Sequence, residues 1–159
     1  MKNTLPPIET PADAAALIRA ALPKVQKEER VFVLPLDSHG KVLAQPILVS
    51  VGHEDGTTAI DAGVIFREAL KAGAEEIIVA HNHPSGNLTP SKADLTATRE
   101  LKSLSARLGV ILLDHLVIGA GEEGNFLSLA EWNVLTRSSS SSGRSCNCSH
   151  RVDRAFEKM

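Results

Sequence analysis

The sequence predicts an α/β fold: a mixed central β-sheet flanked by helices in a single domain. Three observations carry this. β-rich runs alternate with helical repeats along the chain, the order from which helices come to lie against a sheet. One run, residues 75–80, is unbroken apolar sequence from Ile77 onward, as a strand buried on both faces must be. With 159 residues and 43% hydrophobic content, there is material for one sizeable core.

The elements follow in order. Thr10 can cap a helix whose first position is Pro11 and whose first turn holds Asp13, running to about residue 21. Residues 30–36 and 41–49 read as strands on either side of an Asp37-Ser38-His39-Gly40 hairpin turn. Pro35 and Pro46 set these strands near an edge or a bulge, because proline cannot donate to a ladder. After a loop over residues 52–56, Ile60, Val64, Ile65, Ala69 and Leu70 recur at helical spacing and Gly73 stops the helix. The buried strand 75–80 then runs straight into His81-Asn82-His83. Leu95, Leu101, Leu104 and Leu108 mark a third helix from Ser91 to Gly109, followed by a strand at 110–117 and a short one at 125–127. Beyond Leu135 the composition turns Ser-rich, so residues 137–159 are expected to form a disordered tail.

Composition removes several functions. A net charge of -2 and a pI near 6.3 give no overall attraction to nucleic acid. At 3% aromatic residues and no Tyr, stacking platforms for single strands are scarce. No apolar run approaches the roughly 20 residues that cross a bilayer, and the start lacks the apolar stretch of a secretory signal, which together predict a soluble cytoplasmic protein. The two cysteines, Cys146 and Cys148, sit one residue apart in the Ser-rich tail and form no disulfide framework.

The chemistry gathers at the end of the buried strand. Side chains alternate along a strand, so His81 and His83 share a face one extended repeat apart, at chelating distance. The stiff stretch 84–90 leads to Ser91 and Asp94 in the first turn of the next helix, where both can turn back toward the histidines. Two imidazoles and a carboxylate supply three protein ligands and leave a fourth position open, as catalytic zinc requires. Taken alone, Ser91-x-x-Asp94 is a capping box and a histidine pair beside a loop is polar lining. Their convergence on the end of a buried strand, where unpartnered imidazoles would be costly, favours one Zn2+ per chain held by His81, His83 and Asp94.

The run His81-Asn82-His83-Pro84-Ser85-Gly86, with Pro90-Ser91 and Asp94 beyond it, resembles the signature of JAMM (MPN-type) metallopeptidases, and HNHPSG resembles their RadC branch. The resemblance extends over about residues 29–131. It implies a cytidine-deaminase-like sheet and divides the chain into an N-terminal helical extension (1–28), the RadC-like domain (29–136) and the tail (137–159). It implies that a glutamate at the start of the first sheet strand holds the metal-bound water. The matching position is Glu29, with Glu28 as the near alternative; without the resemblance either is part of a solvated charge cluster.

Metal-assisted hydrolysis is the implied reaction. The metal would lower the pKa of its water from about 15.7 to about 7, Glu29 would accept the proton, and the Ser91 hydroxyl would help stabilise the oxyanion. The implied substrate is a peptide or isopeptide bond. A DNA repair or recombination accessory role, which the RadC resemblance suggests and the charge does not support, and a metal-stabilised scaffold without turnover are the alternatives. Pro84, Ser85 and Gly86 read as architectural, Asp114-His115 as a buried hydrogen-bonded pair, and His39, His53 and His150 as surface residues. His53 and Ala62-Gly63 depart from the family pattern, with consequences for substrate access and none for the ligands.

Overall fold

The structure is a computed structural model that describes residues 5–52, 58–121 and 125–132. The expected tail, Cys146, Cys148, His53 and His150 lie outside those residues.

Helix α1 spans Pro11–Ala21 and starts with a capping box: Thr10 Oγ1 accepts from Asp13 N at 3.2 Å and Asp13 Oδ2 accepts from Thr10 N at 2.8 Å. Ala14, Ala15 and Ile18 on one face are buried. Strand β1, Arg30–Leu36, ends in a turn that Asp37 organises by accepting from the backbone of His39 and Lys41 at 2.8 and 2.9 Å. The next strand, β2, is Ile47–Val51 rather than 41–49, and residues 41–46 contribute only an isolated bridge from Val42 to Leu36. Pro46, which has no N–H for a ladder, marks where regular pairing begins.

Helix α2, Ala62–Lys71, is capped by Asp61, and strand β3, Glu76–His83, continues through both histidines instead of stopping at Ala80. Helix α3, Lys92–Leu108, is closed by Gly109, whose φ of 69° is the left-handed value that favours glycine. Strands β4, Ile111–Gly119, and β5, Phe126–Ser128, complete the sheet.

The strand order is β2-β1-β3-β4-β5, parallel between β3 and β4 and antiparallel elsewhere. β1 is therefore interior, so of the two alternatives drawn from Pro35 the edge is not met, while a bulge is: the β1–β2 ladder shifts register between Val31 and Phe32. The proline is accommodated because its carbonyl accepts from Leu43 N at 3.0 Å on the side away from β3. N–H and C=O of one residue point the same way in a strand, so its missing donor costs the β1–β3 ladder nothing. β2, which follows Pro46, is an edge strand as expected.

Each face of the sheet has its own apolar layer. Val31, Val33, Ile77 and Val79 pack with Ile65, Phe66 and Ala69 of α2 and Leu101 of α3. On the other face Phe32, Leu34, Leu36, Ile78, Ala80, Leu116 and Ile118 pack with Ala14, Ala15 and Ile18 of α1. The segment expected as an N-terminal extension thus supplies a helix to the core. The result is a single small α/β domain, a five-stranded mixed sheet flanked by three helices, consistent with a JAB/MPN fold. Among the described residues no helix is long and apolar enough to cross a membrane.

Candidate metal centre

Beyond Val79 the face of β3 that lies under α2 and α3 changes character: its next two positions are His81 and His83. α3 begins over this end of the strand. Its capping box holds the first turn closed, with Ser91 N donating to Asp94 Oδ2 at 2.8 Å and Asp94 N donating to Ser91 Oγ at 3.0 Å. The capping role weighed from the sequence is therefore real, and it coexists with a second one, because the same Asp94 Oδ2 faces both imidazoles.

His81 Nε2 and His83 Nε2 are 3.0 Å apart, and Asp94 Oδ2 lies 3.3 Å from the first and 3.4 Å from the second. All three residues are buried, and together they form a group that could hold a metal ion. The His83 ring is turned by its other nitrogen: Nδ1 donates to the carbonyl of Asn87 at 2.7 Å, which aims the Nε2 lone pair at the centre. A lone pair facing a carboxylate oxygen and the Nε2 of His81 is repulsive unless a cation or a proton lies among them. The spacing fits a metal, since ligands at about 2.0–2.1 Å from a tetrahedral ion stand about 3.3–3.4 Å from each other.

The electrostatics agree. Burial works against the Asp94 charge, but the hydrogen bonds of His81 and His83 outweigh it and hold the carboxyl well below its ordinary range. The bond to Asp94 raises the His83 pKa above its ordinary value, against the opposing effect of burial. Protons and a metal therefore compete for the same three atoms.

Glu29 stands one residue before β1, half-buried. Val31 pairs with His81 in antiparallel register, and that register continued by two residues would set Glu29 opposite His83 on the same face. The Glu29 charge contributes to raising the His83 pKa. Glu28 falls on the opposite alternation, and its half-exposed side chain pairs with Arg30 at 3.6 Å. Behind Glu29 the chain passes close to Gly52, whose N donates to the Glu29 carbonyl at 2.7 Å; a Cβ at Gly52 would stand 3.3 Å from that oxygen and 2.5 Å from Thr58 Oγ1. Ser91 is exposed, and its role as acceptor in the cap leaves the hydroxyl hydrogen free to donate.

Three side chains around the centre had no place in the site read from the sequence. The Asn82 carboxamide, on the other face of β3, accepts from Arg30 N at 2.7 Å and donates to Gln26 Oε1 and the Glu28 carbonyl at 3.0 and 3.1 Å, tying down the segment that bears Glu29. His115 and Thr98, both fully buried, bond to each other at 2.7 Å, and His115 also bonds to His81 at 2.9 Å. Thr98 was legible in principle, since it follows Asp94 by four residues and so lies on the same helical face. The Asp114-His115 pair is buried and hydrogen-bonded as expected, but the two side chains serve opposite faces. Asp114 accepts from Ser128 Oγ at 2.6 Å and from the backbone of His115 and Ala130, and burial still pushes its carboxyl up to about 6. Burial, followed by the charge of His81, holds His115 well below its ordinary value and so neutral. Gly86 adopts a φ of 80° and Ser85 Oγ accepts from Asn87 N at 3.3 Å, in keeping with an architectural turn. His39 is exposed in its turn.

The fold and these three converging ligands define an α/β domain with a candidate metal site at the carboxyl end of a central strand. The chain belongs to the RadC-like JAB domain family, whose model matches residues 8–134. It is 37% identical over 128 residues to a UPF0758 protein of Clostridium perfringens, covering 80% of this chain and 54% of that one. A UPF0758 protein of Trichormus variabilis is 41% identical over 129 residues, 81% of this chain and 51% of the relative. One from Thermosynechococcus vestitus is 42% identical over 128 residues, 80% and 49%. The chain spans about half the length of the curated relatives it matches.

Proposed function

We propose that this domain is a zinc-dependent hydrolase of the JAMM type that cleaves an amide, in a peptide or an isopeptide bond, with His81, His83 and Asp94 as ligands and Glu29 as general base. The observation that carries the proposal is convergence. Three candidate ligand atoms stand 3.0–3.4 Å apart, and two observations support Glu29 as the base: continuing the β1–β3 register by two residues leads from Val31 to Glu29, and its charge acts on His83.

When bound, a divalent metal lowers the pKa of a coordinated water toward neutrality and polarises a carbonyl. The protein residues do the rest. Glu29 takes the proton of the attacking water and delivers it to the leaving amine nitrogen, so that one C–O bond forms as the C–N bond breaks. Ser91 donates its hydroxyl hydrogen to the oxygen on which negative charge develops. Asn82 fixes the backbone on both sides of Glu29 through Glu28 and Arg30, which limits how far the base can drift. A cytoplasmic setting belongs to the same proposal, and the low cysteine content supports it.

The test pairs metal analysis with a cleavage screen over peptide and isopeptide libraries. Glu29→Gln is expected to retain stoichiometric zinc and to lose about 100 to 10,000-fold in rate. Unchanged hydrolysis in that variant would remove Glu29 from the mechanism. Ser91→Gly keeps most of the cap, at a cost of a few tenths of a kcal/mol, while the lost donor slows turnover by about 100 to 1,000-fold.

A further inference from the structure

Behind the candidate centre a closed circuit of hydrogen bonds joins two of the three ligands. Thr98 Oγ1 lies 2.7 Å from the backbone carbonyl of Asp94, an atom that can only accept, so the threonine hydroxyl donates there. Having spent its one hydrogen, the hydroxyl must accept from His115 Nδ1, also 2.7 Å away. His115 is fully buried and its ring nitrogens meet the uncharged Thr98 hydroxyl and His81, with no carboxylate paired to it among the described residues, so the ring carries one N–H, and with Nδ1 protonated its Nε2 is a lone pair. That lone pair faces His81 Nδ1 at 2.9 Å, which must then be the donor. His81 is left with its Nε2 lone pair directed at the centre. Each proton assignment follows from the one before it, and the starting point is a backbone carbonyl with no choice of role.

We propose that Thr98 and His115 are positioning residues that fix the tautomer and ring orientation of His81, so that metal affinity is set in part by a threonine hydroxyl two residues removed from the ion. The proposal rests on the metal-centre reading above. The circuit is closed: it leaves the Asp94 backbone, passes through Thr98 and His115, and returns through His81 to the point where the Asp94 carboxylate also arrives. Thr98 and His115 are each 0% exposed, so no water competes for these bonds. The acceptor behind His81 is an uncharged ring, where metal-binding histidines often have a carboxylate. It orients the ligand without adding negative charge to a buried site, and leaves Asp94 as the one anionic ligand among the three.

The test uses the full chain with zinc as the probe. Thr98→Val preserves shape and removes the hydroxyl; its zinc dissociation constant, measured by chelator competition, is expected to rise about 10 to 100-fold. Thr98→Ser restores the hydroxyl and is expected to restore affinity, which a purely steric role for the methyl group would not do. Thermal melts of the metal-free variants separate lost affinity from lost folding. Wild-type affinity in Thr98→Val, or no recovery in Thr98→Ser, overturns the proposal. Independently of any variant, nitrogen-detected NMR of the imidazoles in the metal-free wild type is expected to find His115 protonated at Nδ1 and His81 protonated at Nδ1. A hydrogen on His115 Nε2 would break the circuit. A wild-type chain that binds no zinc overturns the metal-centre reading and the affinity claim together, and the imidazole spectra distinguish that outcome from failure of the circuit alone.

Discussion

The two faces of β3 begin alike and end differently. On one, Ile78 and Ala80 continue the apolar layer under α1 and the strand closes with Asn82, whose carboxamide is used up on backbone and side-chain atoms of residues 26–30. On the other, Ile77 and Val79 lie under α2 and α3, and the strand then offers His81 and His83 to the first turn of α3. Both faces bury polar groups, yet only one leaves ligand atoms turned toward each other. The difference lies in what covers the strand end. Asn82 meets the non-helical segment before β1, whose polar groups it satisfies, whereas the histidines meet a helix N-terminus, which arrives with a capping carboxylate.

The sharpest way to break the comparison is at Asp94. Asp94→Ala is expected to lose stoichiometric zinc, measured by elemental analysis of the purified variant; undiminished zinc would refute the ligand assignment. On the α1 face, Ile18→Ala should cost about 2–5 kcal/mol of stability in denaturant melts while the folded protein keeps its zinc. Loss of zinc there in a folded variant would mean that the faces are energetically coupled.

Asp114 tests the sheet between its two faces. Its carboxyl is raised to about 6 in the folded state, so its contribution to stability is fully present below its unfolded value of 3.8 and is lost as pH rises through 6. Asp114→Asn should flatten that window, a difference on the order of 2–3 kcal/mol between its limits. An unaltered stability profile between pH 4 and 6 would show that the carboxyl titrates normally. The smallest effect concerns proton competition. Because the metal-free His83 pKa is raised, zinc affinity should fall as pH drops below that value, by about tenfold (1.4 kcal/mol) per unit for each proton displaced. A pH-independent zinc affinity would exclude His83 as a ligand.

The architecture was legible wherever local physics dominates. Thr10, Ser91 and Gly109 bound their helices where capping chemistry says they should, and the apolar run before His81 became the central strand. Pro35 left edge and bulge both open, because the sequence cannot disclose which side of the strand its absent N–H faces; β1 proved interior with a register shift at Val31/Phe32. The leucines of α3 marked the helix correctly but not the whole of its buried face: Leu108 is exposed, while the buried positions are Asp94, Thr98 and Leu101, two of them polar.

At the site itself, the spacing of His81, His83 and Asp94 was enough to bring them together, because a strand repeat and a capping box are local geometries. The choice between Glu28 and Glu29 was not local. It depends on which residue ahead of β1 lies against His83, a matter of register between strands some fifty residues apart. His115 likewise meets His81 only through the parallel pairing of β4 with β3. The sequence by itself determined the elements, the ligand types and their spacing, since these depend on periodicity and caps within a few residues. Tertiary structure alone decided which buried side chains of neighbouring elements meet the histidines, because pairing register and helix placement are set by the packing of the whole sheet.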